Sequence, residues 1–298
     1  MEIPSIPFYE YSPIIRREPL KWPEGARIAV LITVNTESWD LLPRRYGGPQ
    51  ILGSEVLSPD TPDVPNFTWR EYGLRVGIFR IMEMLDRLAL KASVTLNAII
   101  GERYPVIVEE GKKRGWEFIA HSYRQDELLA ELHDDIEAEK KVIRRALDTF
   151  KKVVGEPAKG WLSTGERSTM NTPKILLDEG LEHFSDYQND DQPYPLKIDG
   201  RTLISIPYSS ELNDYRCIRG NMSHTDFHDI IRDEFDVLYR EGAENGRMMN
   251  IGLHTQVSGR AHRINALEKV LNYIKGHEGV WFPSRSEISS WYRKSYLQ

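Results

Sequence analysis

The stretch RIAVLITVNTESWD, residues 27–40, constrains this chain more than any other. Between 28 and 34 only Thr33 is polar, and the apolar run then stops at Asn35, Thr36, Glu37, Ser38 and Asp40. Such a run reads as a strand buried on both faces, the habit of parallel sheets covered by helices. A buried strand that delivers a carboxylate from its carboxyl end suits an α/β barrel, where active-site groups gather at that rim.

The pattern repeats along the chain. From 72 to 88, Leu74, Ile78, Ile81, Leu85 and Leu88 recur at helical spacing, and Ala92, Val94 and Leu96 alternate as a short strand ending at Asn97. A helix near 106–114 leads to a strand at 116–120 that stops at His121. Ile136, Ile143, Leu147, Phe150 and Val154 mark a helix face that Gly155 ends, and a strand near 159–162 gives way to Ser163-Thr164-Gly165-Glu166-Arg167. Thr172-Pro173 opens a helix that Gly180 closes, and a strand at 182–185 leads to Asp186. No helical period precedes the strand at 203–206, so one β–α repeat is broken and the barrel is expected to be irregular. A helix at 227–238, a strand at 247–253 ending at His254, a helix at 264–274, a strand at 280–282 and a helix capped by Ser284 and Glu287 complete the series. The Pro- and Gly-rich segment 41–69 reads as one long loop over the mouth of a site or on the surface.

Seven or eight strands, nearly all followed by helices, indicate a mostly parallel sheet closed into a barrel. The 298 residues suffice for one such domain over 27–298, with 1–26 as a Pro-rich arm lying over the domain or a neighbouring subunit. No glycine-rich phosphate loop follows the first strand, which argues against nucleotide binding. A net charge of −6 and scattered basic pairs argue against a nucleic-acid surface. The single cysteine, Cys217, excludes an intramolecular disulfide and a Cys-based zinc motif. Nothing approaches the length of a membrane span or a signal-peptide core, so a soluble cytoplasmic protein is expected.

The strand ends supply Glu37, His121, Arg167, Asp186, Asp214 and His254 to one rim, with Tyr208 close by. Hydrolysis of an amide needs a base to activate water, donors for the oxyanion and an acid for the leaving nitrogen. Glu37, His121 and His254 are the catalytic candidates. Arg167, Asp186, Tyr208 and Asp214 are candidates to orient them or to bind polar edges of a small-molecule substrate.

The order of these segments resembles the polysaccharide deacetylase family, carbohydrate esterase family 4, and its allantoinase and cyclic-imide branch in particular. Thr36-Glu37 stands at the first motif, HSYRQ (121–125) at the second, GWLSTGERST (160–169) at the third and Leu253-His254 at the last. WREYGLRVGIFRIMEMLDRL (69–88), SDYQNDDQPY (185–194), IPYSSELND (206–214), FDVLYREG (235–242) and GLHTQVSGRAHRINALEKVLNYI (252–274) are similar to that branch. The resemblance implies a distorted seven-stranded (β/α) barrel, a homo-oligomer, and hydrolysis of a non-peptide C–N bond in a cyclic amide, imide or ureide. Alternatives in the same fold are a metal-dependent N-acetyl sugar deacetylase and an inactive ligand-binding relative. Three departures stand out: Thr36 where the branch has a first Glu, Gln125 where true deacetylases have a second metal His, and an extra residue that leaves Glu166 or Arg167 at the third motif. Of the family's Asp, His and His ligands, Glu37 and His121 remain. The implied cofactor is therefore none, or one weakly held zinc, cobalt or manganese ion, with Glu37 as general base and its pKa raised by burial.

Overall fold

A computed structural model describes residues 5–42, 50–52, 57–58, 60–220 and 222–297. The opening stretch forms β1 (Ile28–Thr36), followed by β2 (Ser93–Leu96), β3 (Glu117–Ala120), β4 (Gly160–Trp161), β5 (His183–Phe184), β6 (Tyr194–Ile198), β7 (Arg201–Ser205), β8 (Arg247–His254) and β9 (Val280–Trp281). Among the described residues the sheet order is β6-β7-β5-β4-β3-β2-β1-β8, with β9 beside the start of β1. Seven strands, from β7 through to β8, run parallel, and helices cover their outer side. This is the distorted (β/α) barrel expected from the pattern.

Alternation along β1 explains how one strand serves two environments. Ile28, Val30, Ile32 and Val34 join the large core shared with helix residues such as Leu85 and Ile274. Ala29 and Leu31 point the other way and pack with Met248, Leu20 and Trp22. The same inward face continues as Thr33, Asn35 and then Glu37, so the interior passes from apolar at the amino-terminal end to polar at the carboxyl rim. Arg285 is buried in this interior and donates to Ser185, Thr33 and Asn250 at 2.7–3.0 Å.

The broken repeat is a hairpin. β6 runs antiparallel to β7, and the turn between them uses Asp199 and Gly200 with φ of 49° and 74°, the left-handed pair that a tight hairpin turn demands. Among the described residues no ladder joins β7 to β8. Residues 212–214 take its place: Gly252 N donates to Leu212 O at 2.9 Å and Asp214 N to Gly252 O at 3.0 Å.

The long loop expected over 41–69 is shorter than the pattern suggested, because a helix already starts at Val64–Tyr72, capped by the Asp63 side chain. It continues through a π turn at Gly73–Gly77 into Ile78–Arg87. A Cβ at Gly73 or Gly77 would collide with Thr255, so these glycines let the helix lie against the loop that follows β8. Residues 43–49, 53–56 and 59 of that segment lie outside the described residues. The arm packs on its own domain: Arg17 grips Asp190 at 2.6 Å, and the Trp22 ring packs at a tilt against Trp281 and Trp291.

Candidate active site

β1 and β8 pair with Asn35 opposite His254, which brings Glu37 and His254 to the same point of the rim. Nε2 of His254 lies 3.3 Å from Oε1 of Glu37, and Nδ1 lies 2.7 Å from Oδ1 of Asp214. The second oxygen of Asp214 accepts from His254 N at 2.8 Å, Ser258 N at 3.1 Å and Ser258 Oγ at 2.6 Å. All three charged groups are buried. Burial works against a charged imidazole, but the two flanking carboxylates outweigh it and push His254 up to about 10.

Glu37 behaves differently from the sequence expectation. Burial does push its carboxyl up, yet His254, then His121 and Arg70, pull it down further, and the net position is below the ordinary carboxylate range. The expectation of a neutral-range Glu37 is corrected for that reason. At neutral pH Glu37 is therefore a carboxylate and His254 an imidazolium.

β3 delivers His121, whose Nδ1–H donates to Leu162 O at 2.6 Å. Burial holds this imidazole below its ordinary pKa, so its Nε2 carries a lone pair at neutral pH. Ser122 then adopts φ 54°, and the chain turns so that Gln125 Nε2 donates to Glu37 Oε1 at 2.8 Å. Gln125 Oε1 is buried without a partner. The Tyr215 ring lies tilted against the imidazole of His254, with centroids 4.0 Å apart and planes at 54°, and its hydroxyl is 3.5 Å from Glu37 Oε2. Thr36 is turned away and bonds Thr95 O at 2.7 Å.

A divalent ion between Glu37 and His121 needs a third ligand. At that place stands an amide N–H aimed at the same Glu37 oxygen that faces His254. Among the described residues no group of three or more His, Cys, Asp or Glu side chains is placed to hold a metal. This donor set does not fit tightly bound zinc, cobalt or manganese.

The remaining candidates occupy distinct places. Asp214 is committed to His254 and Ser258, so it orients the imidazole and has no oxygen left for substrate. Tyr208 is buried one layer below, its hydroxyl accepting from Asn35 and Asn213 at 3.0 Å each. Asp186 accepts from Ser163 N at 2.8 Å while Oδ2 is buried and unpartnered, and burial lifts it to about 7. Arg167 is exposed and meets the fold through its carbonyl, which accepts from Ala130 N at 2.9 Å. Glu166 is the third-motif residue that turns toward the mouth. Sequence reasoning missed Tyr215 and Arg70. A small pocket of about 30 Å³ opens beside Glu37, lined by Trp39, Phe67, Arg70, Leu74 and Ile100 among others. The Arg70 guanidinium lies 4.2 Å over the Trp39 ring.

No protein-family model matches the chain. A Schizosaccharomyces pombe protein named as a polysaccharide deacetylase is 31% identical over 301 residues, covering 90% of this chain and 91% of its own. A Helicobacter pylori peptidoglycan deacetylase is 25% identical over 252 residues, covering 72% and 83%. The crystal structure of PuuE allantoinase superposes with a TM-score of 0.83 at 26% identity over 100% of both chains. With 31% identity along nearly the whole of both sequences and a shared fold throughout, the chain belongs to the polysaccharide deacetylase family and is a hydrolase of carbon–nitrogen bonds other than peptide bonds.

Proposed function

We propose that the protein opens a cyclic amide, imide or ureide by adding water across a ring C–N bond, without needing a metal ion. The observation that carries this reading is the Glu37–His254–Asp214 row, with Gln125 donating to Glu37 where a deacetylase of this family would have a metal-binding imidazole.

In this scheme a water lies against Glu37, which stays ionised over the working pH range. Glu37 takes one proton as the water oxygen attacks the carbonyl carbon, and the lone pair on His121 Nε2 accepts the other O–H as a hydrogen bond. The oxyanion forms next to the imidazolium of His254, whose charge Asp214 sustains. Collapse breaks the C–N bond while His254 Nε2 gives its proton to the leaving nitrogen, and Glu37 returns the captured proton to His254. Entry of the carbonyl between Nε2 and Oε1, now 3.3 Å apart, loosens the ion pair and restores basicity to Glu37.

The second reading, N-acetyl sugar deacetylation, is favoured by the names of the two sequence relatives. Incubation with a panel of hydantoins, cyclic imides and acetylated chito-oligomers separates the two. Ring opening supports the first, and acetate release with intact rings overturns it.

A further inference from the structure

Glu166 has no part in the scheme above, yet its geometry is costly. Gly165 and Glu166 follow each other at the carboxyl end of β4 with φ of 60° and 58°. Glycine is at ease in that left-handed region, whereas a glutamate is strained there and persists only where its surroundings hold it. Glu166 N donates to Ser163 O at 2.9 Å, and Oε2 accepts from Ser210 Oγ at 2.7 Å and from Gln188 Nε2. Ser210 and Gln188 come from the loops after β7 and β5, so the carboxylate is fixed from two sides of the mouth. Oε1 takes no hydrogen bond among the described residues, and no ion pair reaches the group. Burial raises its pKa, and both His254 and Glu37 are close enough to act on it, in opposite directions. While ionised, this fixed carboxylate presents its bare oxygen as a hydrogen-bond acceptor.

Resting on the C–N hydrolase reading, we propose that Glu166 Oε1 accepts a substrate N–H beside the scissile bond, and that this contact selects N–H amides over N-alkylated ones. An amide, imide or ureide N–H bonded to a carboxylate forms a charge-assisted hydrogen bond, and an N-methyl group in its place leaves the carboxylate unpaired against apolar surface.

The test compares wild type, Glu166→Ala and Glu166→Gly on hydantoin and its two N-methyl derivatives. Glu166→Ala should lower kcat/KM about 10²-fold on hydantoin and less than about threefold on the derivative methylated at the bonded nitrogen, so that selectivity collapses. Glu166→Gly should show the same collapse while its Tm rises by roughly 2 °C as the backbone strain is released. A merely structural glutamate would lose stability with selectivity unchanged, and equal losses on the parent and methylated rings overturn the proposal. If wild type opens no ring but releases acetate, the function reading fails. The comparison then runs between an N-acetyl amine and its N-methyl analogue under the same criterion. If neither is turned over, calorimetric titration of hydantoin into wild type and Glu166→Ala decides, and equal affinities overturn the assignment.

Discussion

His254 Nδ1 lies 2.7 Å from Asp214 Oδ1 while Nε2 lies 3.3 Å from Glu37 Oε1, so one imidazole joins the carboxyl ends of β1 and β8 to the segment that fills the gap after β7. Its pKa rises from an ordinary 6.5 to about 10, so the stabilisation it supplies is complete below 6.5 and lost as pH climbs through about 10. The thermal midpoint should therefore fall between about pH 7 and 10, and Asp214→Asn should move that fall toward neutrality. Melting curves across this range check it. Glu37, held below its ordinary range, adds stability above pH 4.5 that disappears as pH drops through its folded value.

Replacing His254 by Asn should reduce turnover roughly 10²–10⁴-fold, the span expected for an acid–base group. Circular dichroism should still report a folded protein, with a lower Tm because Glu37 and Asp214 lose the cation between them. Near-wild-type turnover in the folded variant would remove His254 from the mechanism.

Elemental analysis of the purified protein should find far less than one zinc, cobalt or manganese per chain, with activity unchanged after exhaustive chelation. Gln125→His supplies a third ligand beside Glu37 and His121, and this variant should take up close to one zinc. Stoichiometric metal and chelation-sensitive activity in wild type would instead make Glu37 and His121 ligands first.

Gly252 leaves room on β8 for the Tyr208 hydroxyl, with which a Cβ at that position would collide. Gly252→Ala should destabilise the fold by about 1–3 kcal/mol, the usual cost of overpacking. Adding Tyr208→Phe should recover part of the loss, because the clash falls on the hydroxyl oxygen, and the double-mutant cycle measures that coupling.

We propose that the chain assembles as a closed homo-oligomer, the default symmetry for soluble assemblies. Light scattering at micromolar concentration should return a multiple of 34.5 kDa. A monomer mass would contradict it.

Much of the barrel was legible because β1, β3 and β8 carry their own signal: a buried run ending in Glu37, His121 or His254. The hairpin of β6 and β7 was missed for want of weight on Asp199-Gly200, a turn dipeptide between alternating residues. The helix from Val64 was hidden among prolines, although Pro65 in its first turn and Asp63 as its cap are ordinary start signals. Roles were harder to read than places. Asp214 and Asp186 look alike in sequence, yet one is spent on His254 and Ser258 while the other keeps an oxygen bare. The protonation of Glu37 was read in the wrong direction, since it depends on a histidine that arrives from the far end of the chain.

The filling of the β7–β8 gap by 212–214 bears on the order of folding. Thr33 and Asn250 are bonded across a sequence separation of 217, and the ring is completed only when β8 docks between β1 and that segment. Local β–α units can form earlier, because short-range contacts carry less loop-closure entropy. Glu37, Asp214 and His254 meet only at this closing event, so in refolding experiments enzymatic activity should return after most helical signal has already recovered.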